Sequence, residues 1–464
     1  MTVLEILSLF IIGTIPILFA AVQPWVWSLY CLLMIAVFIL YLWSTLDQPV
    51  LPPLRLFKKS VAIFYIWTLF LCIPFPHPAL SFLSHTRAEI LSRAWALNGS
   101  TPTWETASYL SKPGLSWWVF LLSLGLFFFV VRYLCTERKT LKRVVYIMIG
   151  IGLLEAVYGL IQALVPSMGV LWVDYIQDYL GTARGTFINR NSFAAFMGMI
   201  WPLALGITLA MTGRVYSLKE VLASDRLNRQ ALMAMGIIVI LLALIFSRSR
   251  AGIVSGLVGF LAFSILARTG MKALALHTRV LMGGVILLLC IYTMTIGVGP
   301  IFQRFLTLGA DSGSRMDIWR DSLPIIADHP LGIGLGNYAN VFQVYNQSLT
   351  SDKTVLHAHN DYLQVLIETG WIGFFAVISG FFIFIGKSAR RIKQLDYRRD
   401  PLRFYLAVGA FSGIISMSVH GLFDFNLQIP ANCLYFVVLM AVLSACTQPR
   451  KTINVEQRTS NIEC

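Results

Sequence analysis

The chain has 464 residues, of which 57% are hydrophobic and 12% charged, with a formal net charge of +14. A soluble protein of this size carries roughly twice that charged fraction, and apolar runs of about 20 residues, long enough to cross the ~30 Å hydrocarbon core, recur along the whole length. These values exclude an ordinary soluble fold, and the excess of Lys and Arg needs no nucleic acid once cytoplasmic loops of a membrane protein are considered.

Taken in chain order, the apolar runs predict twelve spans: 4–22, 25–44, 61–77, 115–132, 144–164, 191–211, 231–246, 251–267, 280–298, 361–386, 404–420 and 431–446. The first run lacks the basic residues that open a signal peptide, and a second run follows at once, so it reads as a retained helix. The fold class is an all-α polytopic membrane protein. Its parts are N-terminal helices over 1–140, a larger transmembrane unit over 141–446, and a short tail over 447–464. A long loop, 299–360, separates the ninth and tenth spans. Its stretch SRMDIWRDSLPIIADHP places Met316, Ile318, Trp319, Leu323 and Ile326 at helical spacing, which predicts a short amphipathic helix on the membrane surface. GIGLG at 332–336 follows no strand and lacks dinucleotide-site spacing, so it reads as a tight turn. The seven cysteines (Cys31, Cys72, Cys135, Cys290, Cys433, Cys446 and Cys464) form no CxxC pair and show no metal-ligand spacing.

The basic residues orient the map. With the N-terminus in the cytoplasm, 25 of the 36 Lys and Arg fall in cytoplasmic segments and 11 outside. Both termini are then cytoplasmic, and loops 78–114, 165–190, 247–250, 299–360 and 421–430 face outward.

Several outward residues sit at the ends of apolar runs. Arg184 and Arg190 lie in RGTFINRNSFAAF, Arg248 and Arg250 in SRSRAG, Arg315 and Arg320 in the long loop, and His357, His359 and Asn360 just before the tenth span. Arginine near hydrocarbon is costly and takes a partner. Guanidinium groups fit phosphate oxygens in a forked geometry, so their gathering on one face points to a diphosphate. Each arginine could instead snorkel to headgroups or pair with Asp311, Asp317 or Asp321, a reading that weighs most for Arg320. Histidine can take a proton near neutral pH, as a general base must. His359 opens the pattern H-N-x9-G-x-x-G, whose glycines Gly370 and Gly373 would admit a close neighbouring helix. Asp424, in HGLFDFNLQIP, reads either as support for the site or as a cap on the last span.

These motifs, in this order over roughly residues 140 to 445, resemble the O-antigen ligase and polymerase family of bacterial inner-membrane glycosyltransferases. The resemblance rests on RGTFINRN, SRSRAG, the series Arg315, Trp319, Pro330, Gly332, Gly334 and Tyr338 to Phe342, the His359 pattern, and HGLFDFNLQIP. It implies a GT-C-like helical architecture with a large periplasmic loop. It implies glycan transfer at the periplasmic face from an undecaprenyl-diphosphate carrier to lipid A core or a growing glycan, with neither metal nor nucleotide sugar. Carried over, His359 is the catalytic base, and Arg184, Arg248, Arg250 and Arg315 hold the diphosphate, with Arg248 and Arg250 not distinguished. Arg190, His357, Asn360 and Asp424 are possible support. Single displacement with inversion follows if no carboxylate attacks; Asp361 is expected to face away from His359, and Asp424 lies in another loop.

Alternatives remain open at this level. The same family includes polysaccharide polymerases and enzymes that glycosylate protein hydroxyls. A transporter or flippase of lipid-linked sugars would also suit many spans and basic residues, but such proteins more often show related halves or broken helices, and neither is evident in the sequence.

Overall fold

The structure is a computed structural model and describes residues 1–46, 55–101, 104–165, 167–173, 180–211, 225–271, 311–348 and 354–448. Its helices, numbered here in chain order, are α1 (Val3–Thr14), α2 (Pro24–Ser44), α3 (Arg55–Phe70), α4 (His77–Leu83), α5 (His85–Leu97), α6 (Ser111–Leu134), α7 (Arg138–Leu164), α8 (Arg190–Ala210), α9 (Asp225–Phe246), α10 (Arg250–Met271), α11 (Asp311–Asp328), α12 (Tyr338–Tyr345), α13 (Asp361–Gln394), α14 (Pro401–His420) and α15 (Pro430–Cys446). Among the described residues, eight are long and apolar enough to cross a membrane: α2, α6, α7, α8, α9, α10, α13 and α14. The chain is an all-α polytopic membrane protein.

Eleven of the twelve predicted spans fall on helices, and the run 280–298 lies outside the described residues. Three helices are shorter than a full span. The first predicted span is a 12-residue helix, α1, followed by a 3-10 turn at Phe19–Ala21, where φ is positive at three consecutive residues. Ile15 is still helical and its N–H donates to Ile11 O, but Pro16 has no N–H to continue the ladder, which explains the early stop. The third, α3, ends at Phe70 rather than 77. Pro74 and Pro76 then take extended backbone in β1 (Pro74–Pro76), paired antiparallel with β2 (Trp104–Thr106). α15 has 17 residues.

One apolar cluster runs from Leu4 in α1 to Cys446 in α15. α8 and α14 are its central helices, with 94% and 78% of their apolar windows buried. Small residues make the crossing possible: a Cβ on Gly206 would stand 2.4 Å from Tyr405 O, and one on Gly409 would stand 2.6 Å from Pro202 O. In lipid, where apolar surface gains little by leaving its solvent, such close backbone packing is what holds helices together.

The helix predicted at 314–330 forms as α11, and part of its apolar side packs on protein. Ile318, Ile325, Tyr338, Val341, Phe342 and Ile367 make a second apolar cluster joining α11, α12 and the start of α13, with Trp319 and Ile326 against it; Met316 and Leu323 stay exposed.

α13 is broken near one end. Gly370 has φ 62 and ψ −173, so Asp361–Thr369 forms a separate helical piece. The GIGLG turn fills the break: Ile333 N donates to Ile367 O at 3.1 Å, Gly334 N to Glu368 O at 2.9 Å, and Trp371 N to Pro330 O at 3.1 Å. Of the glycine pair of the H-N-x9-G-x-x-G pattern, Gly370 thus admits the loop, while Gly373 lies against Trp67 of the neighbouring helix α3, as the spacing led one to expect. A Cβ on Gly370 would lie 2.3 Å from the Leu331 carbonyl carbon, and one on Gly373 would lie 3.2 Å from Trp67. The break was not evident in the sequence. It sits at the polar end of the helix, and residues 371–394 still measure ~36 Å at 1.5 Å per residue, enough to span the ~30 Å core alone.

Candidate active site

The segment leading to His359 is held from both sides. Trp319 Nε1 donates to Ala358 O at 2.9 Å, and Ala358 N donates to Gln364 Oε1 at 3.2 Å. Asn360 caps α13, its Oδ1 accepting from Tyr362 N and Leu363 N, each at 3.0 Å. Between these anchors His359 adopts φ 49. A non-glycine residue in the left-handed region costs free energy and persists where its surroundings impose it, most often at functional sites.

The strained backbone aims the imidazole at Asp424. His359 Nδ1 lies 3.1 Å from Asp424 Oδ1. Asn191 Nδ2 donates to Asp424 Oδ2 at 2.6 Å, Phe425 N to Oδ1 at 3.0 Å, and Arg315 Nη2 lies 3.6 Å from Oδ2. Asp424 is 1% exposed. Burial alone would raise its carboxyl pKa, but the His359 hydrogen bond and the charges of His359, Arg315 and His420 outweigh it and hold the carboxyl below its ordinary value. An ionised carboxylate only accepts, so whenever the His359 imidazole is neutral its Nδ1 carries the proton and Nε2 presents a lone pair. This is the base-and-orienter arrangement of general-base sites.

Asp424 is therefore no cap on the last span. The residue before α15 is Ile429, which makes no side-chain cap. The loop that seemed separate folds back onto His359 because Asp361 pins it: Asp361 N donates to Gly421 O at 2.8 Å, and both carboxylate oxygens accept from Leu427 N, at 3.1 and 3.2 Å. His357 supports the site from beside. Its ring stacks on Phe425 at 4.3 Å, while the His359 ring meets the edge of Phe425 at 4.9 Å. Burial, then the neighbouring His359 charge, lowers the pKa of His357 to about 4, so it is neutral at neutral pH.

The arginines divide into two groups. Arg315 joins the His359 cluster and pairs with Asp424 rather than with Asp317 or Asp321. Arg320 pairs with Asp317 at 3.5 Å on an exposed surface and takes no part. Arg184 and Arg248 lie on two loops tied together, since Ala183 N donates to Phe246 O at 3.0 Å, and Arg250 is the first residue of α10. Arg184 is 1% exposed, Arg250 is half-buried, and Arg248 is exposed with φ 53. Both loops meet the N-terminal end of α8: Arg190 is its first residue, and a Cβ on Gly252 would stand 2.6 Å from the Ala194 Cβ. Asn191, one turn earlier on α8, reaches Asp424. The arginine loops and the histidine cluster thus share one end of α8 without a direct contact between His359 and Arg184, Arg248 or Arg250.

Two residues were missed in the sequence. Asn191 stood inside RGTFINRN and His420 opened HGLFDFNLQIP, each a polar group at the edge of an apolar run, and that signal was available for both.

Fold and site together define a polytopic membrane protein with a histidine–carboxylate pair and several arginines at one end of its helices. Residues 235–378 match the family model described as O-antigen ligase, and this match supports the family resemblance read from the motifs. The matched segment includes Arg248, Arg250, Arg315, His357, His359 and Asn360; Arg184, Arg190, Asn191 and Asp424 lie outside it. The match points to polysaccharide-related glycan transfer. No curated protein matches the chain.

Proposed function

We propose that the protein transfers a glycan from an undecaprenyl-diphosphate carrier to an acceptor hydroxyl at the outer, periplasmic face of the bacterial inner membrane. The observation that carries this reading is the His359–Asp424 pair at 3.1 Å, on the same end of α8 as the Arg184 and Arg248–Arg250 loops. Asp424 orients the imidazole, and His359 Nε2 takes the proton from the acceptor hydroxyl as its oxygen attacks the anomeric carbon. The bond from that carbon to the diphosphate oxygen breaks, and the lipid diphosphate leaves with its charge balanced by the arginines. Asp424 is buried and held by four partners, so it makes a poor nucleophile, which favours a single inverting displacement over a two-step retaining route. The diphosphate lies at headgroup depth, where a lipid carrier presents it, with the sugar just outside.

The acceptor is tested with purified protein in lipid, an undecaprenyl-diphosphate glycan donor and EDTA. One tube contains lipid A core, and the other contains donor alone. A shifted lipid A band that His359→Ala loses makes the protein a ligase, and a ladder from donor alone makes it a polymerase. No product in either tube, with donor moved across vesicles instead, would reject the transferase reading for a flippase.

A further inference from the structure

The loop carrying Arg184 is held from behind by one face of α7. Glu155, Gly159 and Gln162 are spaced i, i+4 and i+7, so they share that face. Gln162 Nε2 donates to Gly185 O at 3.0 Å, and a Cβ on Gly159 would lie 3.1 Å from Gly185 N. Glu155 is 0% exposed and accepts from Thr186 N through Oε2 at 2.8 Å. A Cβ on Gly185 would stand 2.2 Å from that same oxygen, and Gly185 has φ 57, so only glycine suits the position between the arginine and the threonine.

The second carboxyl oxygen bears on the protonation state. The Thr186 hydroxyl oxygen lies 2.8 Å from Glu155 Oε1 and 2.7 Å from Pro16 O. A hydroxyl has one proton to give, and the Pro16 carbonyl can only accept. With that proton on Pro16, the Glu155 contact is a hydrogen bond only when the carboxyl itself carries a proton and donates it. Full burial acts in the same direction, since an ionised carboxylate is strongly disfavoured in an apolar interior.

We propose that Glu155 is a positioning residue that fixes the Gly185–Thr186 backbone as a neutral carboxylic acid. The loop is then anchored by two hydrogen bonds with no negative charge set two residues from Arg184. An ionised anchor would oppose the anion that Arg184 holds. This inference rests on the reading of Arg184 as a diphosphate-binding residue.

The test uses the full chain in lipid nanodiscs, with undecaprenyl diphosphate as the probe. Gln at 155 can donate to the Thr186 hydroxyl and accept from Thr186 N, so Glu155→Gln should keep affinity within about threefold. Glu155→Ala leaves a buried N–H unmet and should weaken binding roughly tenfold or more, with the donor KM rising and kcat little changed. Thr186→Val, which removes only the hydroxyl link, should weaken it less. Two readouts stand apart from activity. The infrared carbonyl band of a protonated carboxyl should be present in wild type and lost in Glu155→Gln, and the Thr186 amide should exchange faster in Glu155→Ala alone. No band difference overturns the neutral acid, and wild-type binding in both Glu155→Ala and Thr186→Val overturns the positioning role. Should Arg184→Ala bind normally while the band and exchange results hold, the reading of Arg184 fails and that of Glu155 as a neutral anchor stands.

Discussion

The histidine cluster and the arginine loops meet at one end of α8 but are built in opposite ways. His359, Asp424, Asn191 and Arg315 are joined side chain to side chain, and they come from four chain segments. Around Arg184, by contrast, the backbone is what is held: Ala183 N, Gly185 O and Thr186 N all have fixed partners. A base must have its ring orientation fixed, because proton transfer depends on which nitrogen faces the substrate. A diphosphate site must have its cations placed in advance, because the cost of ordering them otherwise falls on binding. The same division tells which damage each region tolerates.

The largest expected effect follows from removing the base. His359→Ala should lower transfer by roughly 10²–10⁴-fold while the protein still inserts and elutes normally; a rate within a few-fold of wild type removes His359 from the chemistry. Asp424→Asn keeps the shape but loses the orienting charge, and transfer should fall roughly a hundredfold. The same variant sharpens the comparison through pH. Asp424 is held below its ordinary value in the fold, so its stabilising effect is full above the unfolded value of about 3.9 and is lost as pH falls through the lower, folded one. Melting temperature in detergent should drop in acid more steeply for wild type than for Asp424→Asn, and parallel curves would count against the carboxylate. Gly370→Ala places a Cβ 2.3 Å from the Leu331 carbonyl carbon at positive φ, so it should destabilise the break by at least 1–3 kcal/mol, seen as a lower melting temperature. Trp67→Phe removes the 2.8 Å bond to Thr369 O at the same break and should cost about 1 kcal/mol. Arg320→Ala, at an exposed pair, should leave transfer and stability nearly unchanged, and a large loss there would revise the division of the arginines.

Much of this arrangement was legible in the sequence, for a physical reason. Polar residues at the ends of apolar runs are expensive in a membrane, so His359, Arg184, Arg248 and Arg250 stood out. Pairings across the chain were not legible. His359 and Asp424 are 65 residues apart, and Asn191 and Asp424 are 233 apart; spacing along one chain cannot report which loops fold together. Asp424 therefore looked as much like a helix cap as a partner of the base. The break at Gly370 stayed hidden because apolar residues continue on both sides of it, and the turn that fills it lies more than 30 residues earlier. Glu155 was overlooked inside an apolar run, because its purpose shows only once the 183–187 loop is seen lying against it.

The most direct measurement is donor affinity set beside transfer rate for two variants, His359→Ala and Arg184→Ala, titrated with undecaprenyl-diphosphate glycan in nanodiscs. His359→Ala should bind donor as wild type does and fail to transfer it, while Arg184→Ala should lose affinity and recover part of its rate at high donor concentration. Loss of donor binding in His359→Ala, or undiminished binding in Arg184→Ala, would contradict the division between a base and an anion site.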